Sequence, residues 1–131
     1  MARQWVSSGS PLEPVIGFSR AVRCGPLIVV AGTAPIGADG KTLHPGDMFG
    51  QTNACLAIAM KAVEQAGGTA SDVVRTRMML TRIDAWQEAA RAHGAFFGEV
   101  RPACTFVGVA GFIDPEWLVE VELDCFISDQ D

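Results

Sequence analysis

An α+β domain, with two helices laid over one face of a sheet, is the fold class this chain predicts. Three observations lead there. Leu118 to Phe126 alternates strictly, with Val119, Val121, Leu123 and Cys125 on one face and Glu120, Glu122 and Asp124 on the other, the period-two mark of a half-buried strand. Two stretches, one from Asp47 to about Ala66 and one from Asp84 to just before Arg101-Pro102, carry apolar residues at helical spacing. Strand candidates surround them in the order β-β-α-β-α-β-β, a pattern in which both helices can cover one side of a single sheet.

Along the chain, residues 1–15 carry Ser, Gly and Pro and are expected to be irregular. Phe18 to Val22 predicts a short strand closed by a turn at Gly25-Pro26, and Leu27 to Ala31 a buried strand followed by Gly32. Pro35 to Gly46 reads as a loop with a turn at Ala38-Asp39-Gly40. Asp47 is placed to cap the first helix, whose periodic residues include Gln51, Cys55, Ile58, Ala59, Ala62 and Val63, and Gly67-Gly68 stops it. Thr69 to Asp72 leads into a strand over Val73 to Leu80. Asp84 then caps the second helix, with Trp86, Ala89, His93, Phe96 and Phe97 as its core-facing stripe. The strands Ala103 to Ala110 and Leu118 to Phe126 follow, joined through Gly111-Phe112-Ile113-Asp114-Pro115.

The length of 131 residues fits one domain over residues 1–131. A hydrophobic fraction of 49% with 19% charged residues and a mean hydropathy of +0.24 is high for so small a body, and predicts apolar surface between subunits, the alternative being a rich core within one chain. Arg, Asp and Glu interrupt every apolar run before the roughly 18 residues of a spanning helix, so no membrane is expected. The start, MARQWVSSGS, lacks the apolar stretch of a secretory signal, which leaves the cytoplasm as the expected compartment. A net charge of -5 repels phosphate backbones, and Asp72 and Asp84 flank the arginines Arg75, Arg77 and Arg82. Nucleic acid is not an expected partner.

Cys24, Cys55, Cys104 and Cys125 show no CxxC spacing, and His44 and His93 stand apart. Neither a metal nor a cofactor is expected. The cysteines 24, 55 and 125 read as small buried hydrophobes, and His93 as a half-buried structural histidine. The usual nucleotide, hydrolase and zinc-protease motifs are absent. Gly32, ending a strand before Thr33, either makes a turn or lets a ligand oxygen approach bare backbone. Glu120 is either solvated beside Glu122 and Asp124 or enclosed in a cleft, where burial would raise its pKa and suit it to shuttle a proton to water. Cys104 is either pocket lining or a nucleophile.

Several segments taken in order resemble the Rid family, also called YjgF/YER057c/UK114 or reactive intermediate deaminases. They are Ile16-Gly17-Phe18-Ser19-Arg20-Ala21-Val22, Val30-Ala31-Gly32-Thr33-Ala34-Pro35, Gln51-Thr52, Ala66 to Val74, Ala95-Phe96-Phe97, Arg101-Pro102-Ala103 and Val119-Glu120-Val121-Glu122. The resemblance implies a chorismate-mutase-like YjgF fold, a mixed sheet of about six strands backed by two helices. It also implies homotrimers with a ligand pocket at each subunit boundary. The best-known members hydrolyse enamines and imines of amino acids to keto acids and ammonia, using a glycine amide, a water-positioning glutamate, a tyrosine, an asparagine and a carboxylate-gripping arginine. Gly32 and Glu120 match the first two. Phe18 stands at the tyrosine, Ala90 at the asparagine and Cys104 at the arginine, so the chain resembles a divergent member lacking that clamp.

The implied catalytic set is Glu120 with Cys104. The implied substrate-binding set is Phe18, Arg20, Gly32, Thr33, Ala90 and Phe106, with Arg20 or Arg101 as replacements for the clamp. The expected activity is hydrolysis of a small reactive metabolite, larger or less charged than a simple amino-acid imine (an aminomuconate-type compound, for example). The alternative is a non-catalytic trimer that binds metabolites or protects proteins.

Overall fold

The computed structural model describes residues 2–128. Its strands are β1 (Arg3–Val6), β2 (Ala21–Cys24), β3 (Leu27–Thr33), β4 (Val73–Leu80), β5 (Ala103–Gly108) and β6 (Val119–Phe126). Its helices are α1 (Leu12–Ile16), α2 (Met48–Gln65) and α3 (Trp86–Phe97), with short 3-10 turns at Ala70–Asp72 and Ile83–Ala85. The strands form one six-stranded sheet in the order β1-β2-β3-β6-β4-β5. All pairs are antiparallel except β4 with β5, which is parallel. This mixed sheet backed by helices is the chorismate-mutase-like arrangement.

The alternation of β6 decides which face is covered. Val119, Val121, Leu123 and Cys125 are fully buried, as are Ile28 and Val30 of β3 and Met78 and Leu80 of β4. They pack with Leu56, Ala59 and Val63 of α2 and Phe97 of α3 in one core. Each fully buried aliphatic side chain contributes about 1.5–3 kcal/mol over leaving it in water. Asp47 caps α2, its side chain accepting from Gly50 N at 2.9 Å. The helix ends where Gly67 takes a left-handed φ of 96°, and Arg23 Nη1 donates to the Ala66 carbonyl at 2.7 Å.

The structure corrects several sequence expectations. The segment expected to be irregular holds β1 and α1; β1 pairs with β2 from Arg3↔Cys24 to Val6↔Ala21, a long-range partnership that four residues do not announce by themselves. Met1 lies outside the described residues. The strand expected at Phe18 starts at Ala21, leaving Phe18 and Arg20 in the approach to the sheet. Asp84 does not cap α3: a 3-10 turn precedes the helix, Ala85 occupies the cap position without a side-chain bond, and Asp84 lies exposed near Arg82. Trp86, at the first residue of α3, is 49% exposed rather than core, because the buried stripe is formed by Ala89, Ala92 and Phe97 further along. Cys55 and Cys125 are buried as expected, while Cys24 is half-buried.

The other sheet face is the more open one among the described residues. At its β1–β3 end Trp5, Leu27 and Val29, with Phe126 of β6, are exposed. Its centre carries ion pairs between β4 and β6, which set up the site.

Candidate active site

Three acidic residues of β6 share the open face, and the register with β4 decides their fates. Asp124 stands opposite Arg75 and Glu122 opposite Arg77. Arg75 pairs with Asp124 at 3.8 Å and Arg77 with Glu122. The next rung places Met79 opposite Glu120. The repeat of basic residues stops one rung short, so Glu120 has no cation across the strand. Burial pushes its carboxyl above the ordinary 4.5, more than the nearby Arg20 pulls it down, and Glu122 pushes the same way.

On its other flank Glu120 reaches β3, where the ladder is irregular. Val30 pairs with Leu123 and Thr33 with Val121, so Ala31 and Gly32 together face Glu122 alone. Such a bulge frees backbone groups from the ladder. The Gly32 carbonyl accepts from Arg20 Nη1 at 2.6 Å. Gly32 also has to lack a side chain, since a Cβ there would lie 2.7 Å from Glu120 Oε1. The glycine is a close-approach residue.

Arg20 is only 7% exposed. Its Nη1 donates also to Thr33 Oγ1 at 3.1 Å and its Nε to Ser8 Oγ at 3.4 Å, while its guanidinium sits 5.2 Å from the Phe18 ring centroid. No carboxylate forms an ion pair with it among the described residues. Burial lowers its pKa, opposed by attraction to Glu13 and Glu120, but a guanidinium stays charged in water-exposed proteins and their clefts alike. Nη2 has no hydrogen-bond partner among the described residues.

Glu120, Gly32, Arg20 and Phe18 line one cavity of about 560 Å³. Ser7 to Pro11, ahead of α1, and Leu12 at its start form part of its wall. Glu13 secures that wall: it accepts from Ser8 N at 3.0 Å and Ser8 Oγ at 2.7 Å. Burial raises the Glu13 carboxyl, but these bonds and those from Ser7 and Ser10 outweigh it and hold the group below its ordinary range. A chain Glu13–Ser8–Arg20 thus anchors the guanidinium.

Trp117 and Ile113 close another side. Trp117 is 6% exposed, and its Nε1 is buried without a hydrogen-bond partner among the described residues. Fully buried Gln51 of α2 fixes the backbone on both sides of it. Gln51 Nε2 donates to Glu116 O at 3.0 Å, and its Oε1 accepts from Leu118 N at 2.8 Å.

Of the residues singled out in the sequence, Phe18, Arg20, Gly32, Thr33 and Glu120 meet in this cavity. Thr33 lines it without offering its hydroxyl, which donates to Ala31 O at 2.8 Å and accepts from Arg20. Cys104, Phe106 and Ala90 do not line it within one chain. Cys104 lies exposed on the edge strand β5, in register with Thr76 and therefore on the helix-facing side, whereas Glu120 belongs to the open side. Phe106 packs near His93 at 6.4 Å between centroids, and His93 Nε2 shares a 2.8 Å hydrogen bond with Thr76 Oγ1. Burial lowers the His93 pKa. Arg101 is exposed in a left-handed conformation before β5 and is not part of the cavity wall. Sequence reasoning missed Ser8, Glu13 and Trp117. Only Trp117 left a trace, as a tryptophan abutting the alternating strand.

No helix is long and apolar enough to cross a membrane, and no group of three His, Cys, Asp or Glu is placed to hold a metal ion, among the described residues. The family described as Endoribonuclease L-PSP matches residues 9–127. The chain is 38% identical over 121 residues to the uncharacterized protein SCO2049 of Streptomyces coelicolor, covering 92% of this chain and 90% of that one. The crystal structure of Rv2704 from Mycobacterium tuberculosis, described as a member of the YjgF/YER057c/UK114 family, is 44% identical, with a TM-score of 0.87 and coverage of 96% and 100%. A Rid-family protein of unknown function, YyfA from Yersinia pestis, shares the fold at 24% identity, with a TM-score of 0.85 and coverage of 96% and 100%.

Proposed function

The chain belongs to the Endoribonuclease L-PSP family, the Rid or YjgF/YER057c/UK114 superfamily, and from that premise we propose that it hydrolyses a small reactive C=N compound in the cavity around Glu120. The family carries both deaminase and endoribonuclease associations. The charge distribution favours the small molecule: the net charge is -5, and Arg75 and Arg77 are paired with Asp124 and Glu122.

The observation that carries the proposal is an ionisable carboxylate left unpaired by its ladder, enclosed beside an arginine and over a bare glycine. A carboxylate with a raised pKa is a competent base closer to neutrality. Water adds to the carbon of the protonated imine while Glu120 takes one of its protons, and Glu120 returns that proton to the amine nitrogen. The C–N bond then breaks as the hydroxyl gives its remaining proton to the Glu120 carboxylate, and a carbonyl compound and ammonia leave. Arg20 takes the role of the missing clamp at Cys104, approaching from the opposite wall, and Phe18 presents its ring.

In this reading three copies assemble, and a neighbour closes the cavity with its surface around Ala90, Cys104 and Phe106. Support comes from the exposed edge strand that carries Cys104 and from the apolar residues on the more open sheet face. A second reading, a non-catalytic metabolite-binding trimer, is favoured by Cys104 standing where the resemblance expects arginine.

Ammonia release from a panel of imines and enamines, with Glu120→Gln as control, separates the two. Release that persists in Glu120→Gln refutes the glutamate mechanism. Full activity in Cys104→Ser excludes the thiol as nucleophile. Sedimentation of the purified chain as a monomer, with activity intact, removes the neighbour from the site.

A further inference from the structure

We propose that the cavity has a second arm along α2, and that this arm seats an extended apolar tail of the substrate, with Leu12, Ile36 and Ile58 as the side chains that hold it. The inference rests on the reading that Glu120 marks the reacting end of the cavity, and adds which substrates the rest of the space selects.

The cavity touches both sides of the sheet. Glu120 belongs to the open side, whereas Ile58, Lys61, Ala62 and Gln65, which line the same cavity, lie on α2, the helix that packs on the covered side. They fall at i, i+3, i+4 and i+7, one stripe of that helix. Lys61 and Gln65 are exposed and give the stripe its solvent edge, while Ile58 and Ala62 give the apolar one. A single space bounded by Glu120 and by α2 passes the end of β3, where Gly32, Thr33 and Ala34 form its wall. Its volume of about 560 Å³ lies in the range of sites that enclose drug-sized ligands, and the imine of a short amino acid fills a small part of it. Leu12, Ile36 and Ile58 are each half-buried and outside the buried core. They come from α1, the loop after β3 and α2, and meet at the cavity. Aliphatic surface that lines a space in this way is taken out of water when an alkyl group fills it, which tightens binding about four-fold per buried methylene. The arm is continuous with the site at Glu120, so its occupant is the far end of the molecule that reacts there.

The test uses the full chain and two carbonyl compounds of the product class, pyruvate and 2-oxohexanoate, which share a head and differ only by three methylenes in the tail. Dissociation constants are read by nitrogen-15 NMR titration. The longer compound is expected to bind roughly 50-fold more tightly than pyruvate, the effect of burying the added methylenes. Ile58→Trp and Ile36→Trp each put a large ring into the arm from a different element, so a folding defect in one leaves the other to report. In both, the ratio of the two constants is expected to fall below about five-fold, little more than one buried methylene. A parental ratio already that small overturns the inference, and so does the absence of saturable 2-oxohexanoate binding. A parental ratio kept by both folded variants overturns it as well. Ammonia release is read separately. Glu120-dependent release from imines, with no gain in affinity from the tail, sinks this inference alone and leaves the hydrolytic reading standing. The expected ratios without ammonia release from any imine keep the arm and remove the hydrolysis.

Discussion

Replacing Gly32 with alanine separates chemistry from stability at one position. The new Cβ would lie 2.7 Å from Glu120 Oε1, about 0.7 Å inside the 3.4 Å at which ordinary contact begins. What must yield is the tip of a flexible side chain, so the carboxylate swings aside at little energetic cost. Gly32 does not need a left-handed backbone, and alanine restricts the unfolded chain more than glycine does, a gain of about 0.4–1 kcal/mol. Stability should therefore stay within about 1 kcal/mol of the parent. Activity should not, because a displacement near 1 Å at a reacting group costs on the order of 100-fold. Urea denaturation reads the first quantity, and ammonia release from any compound the parent turns over reads the second. A folded Gly32→Ala protein with undiminished turnover would show that the carboxylate over Gly32 is not the working group.

Glu120→Gln should be more stable than the parent at neutral pH while losing activity. A carboxyl whose folded pKa lies above the ordinary 4.5 favours the folded state below 4.5 and loses that contribution as pH rises through the raised value; the advantage of the glutamine should vanish on acidification, and denaturation curves at several pH values check it. His93 works in the opposite sense. Its folded pKa is below the ordinary 6.5, so its contribution is complete above 6.5 and fades as pH falls towards the folded value; an equally acid-sensitive His93→Gln variant would exclude this. Gln51→Leu removes two hydrogen bonds to backbone groups and should cost about 2–4 kcal/mol in urea denaturation; a loss below about 1 kcal/mol would mean that water replaces the clamp.

The sequence made the covered sheet face and the long helix readable because both depend on local periodicity. In β6 every second residue is apolar, and Asp47 precedes a run with helical spacing, so neighbours along the chain carry the signal. Asp84 has the same chemistry as Asp47 yet caps nothing, because the 3-10 turn at Ile83–Ala85 changes where the helix begins. The first strand escaped because its stability comes from β2, roughly twenty residues away in sequence. For the site, Glu120 could be named but not distinguished from Glu122 and Asp124, which share its parity. What separates them is the strand beside them, and register between β4 and β6 is not written in either segment alone. Arg20 was a candidate, but its burial against the Gly32 carbonyl needs the bulge in β3. Cys104, Ala90 and Phe106 were named on a family resemblance, and within one chain they lie outside the cavity wall.

The ladder that stops at Met79 has an implication for how such a site is gained or lost. Arginine at 75 and at 77 turns two carboxylates into fasteners of the sheet, and an arginine at 79 would extend the same stitching to the third. If Glu120 does the chemistry proposed for it, Met79→Arg is expected to silence the protein by pairing Glu120 as Glu122 is paired. A methionine on the adjacent strand is what leaves the third carboxylate on this surface outside the stitching.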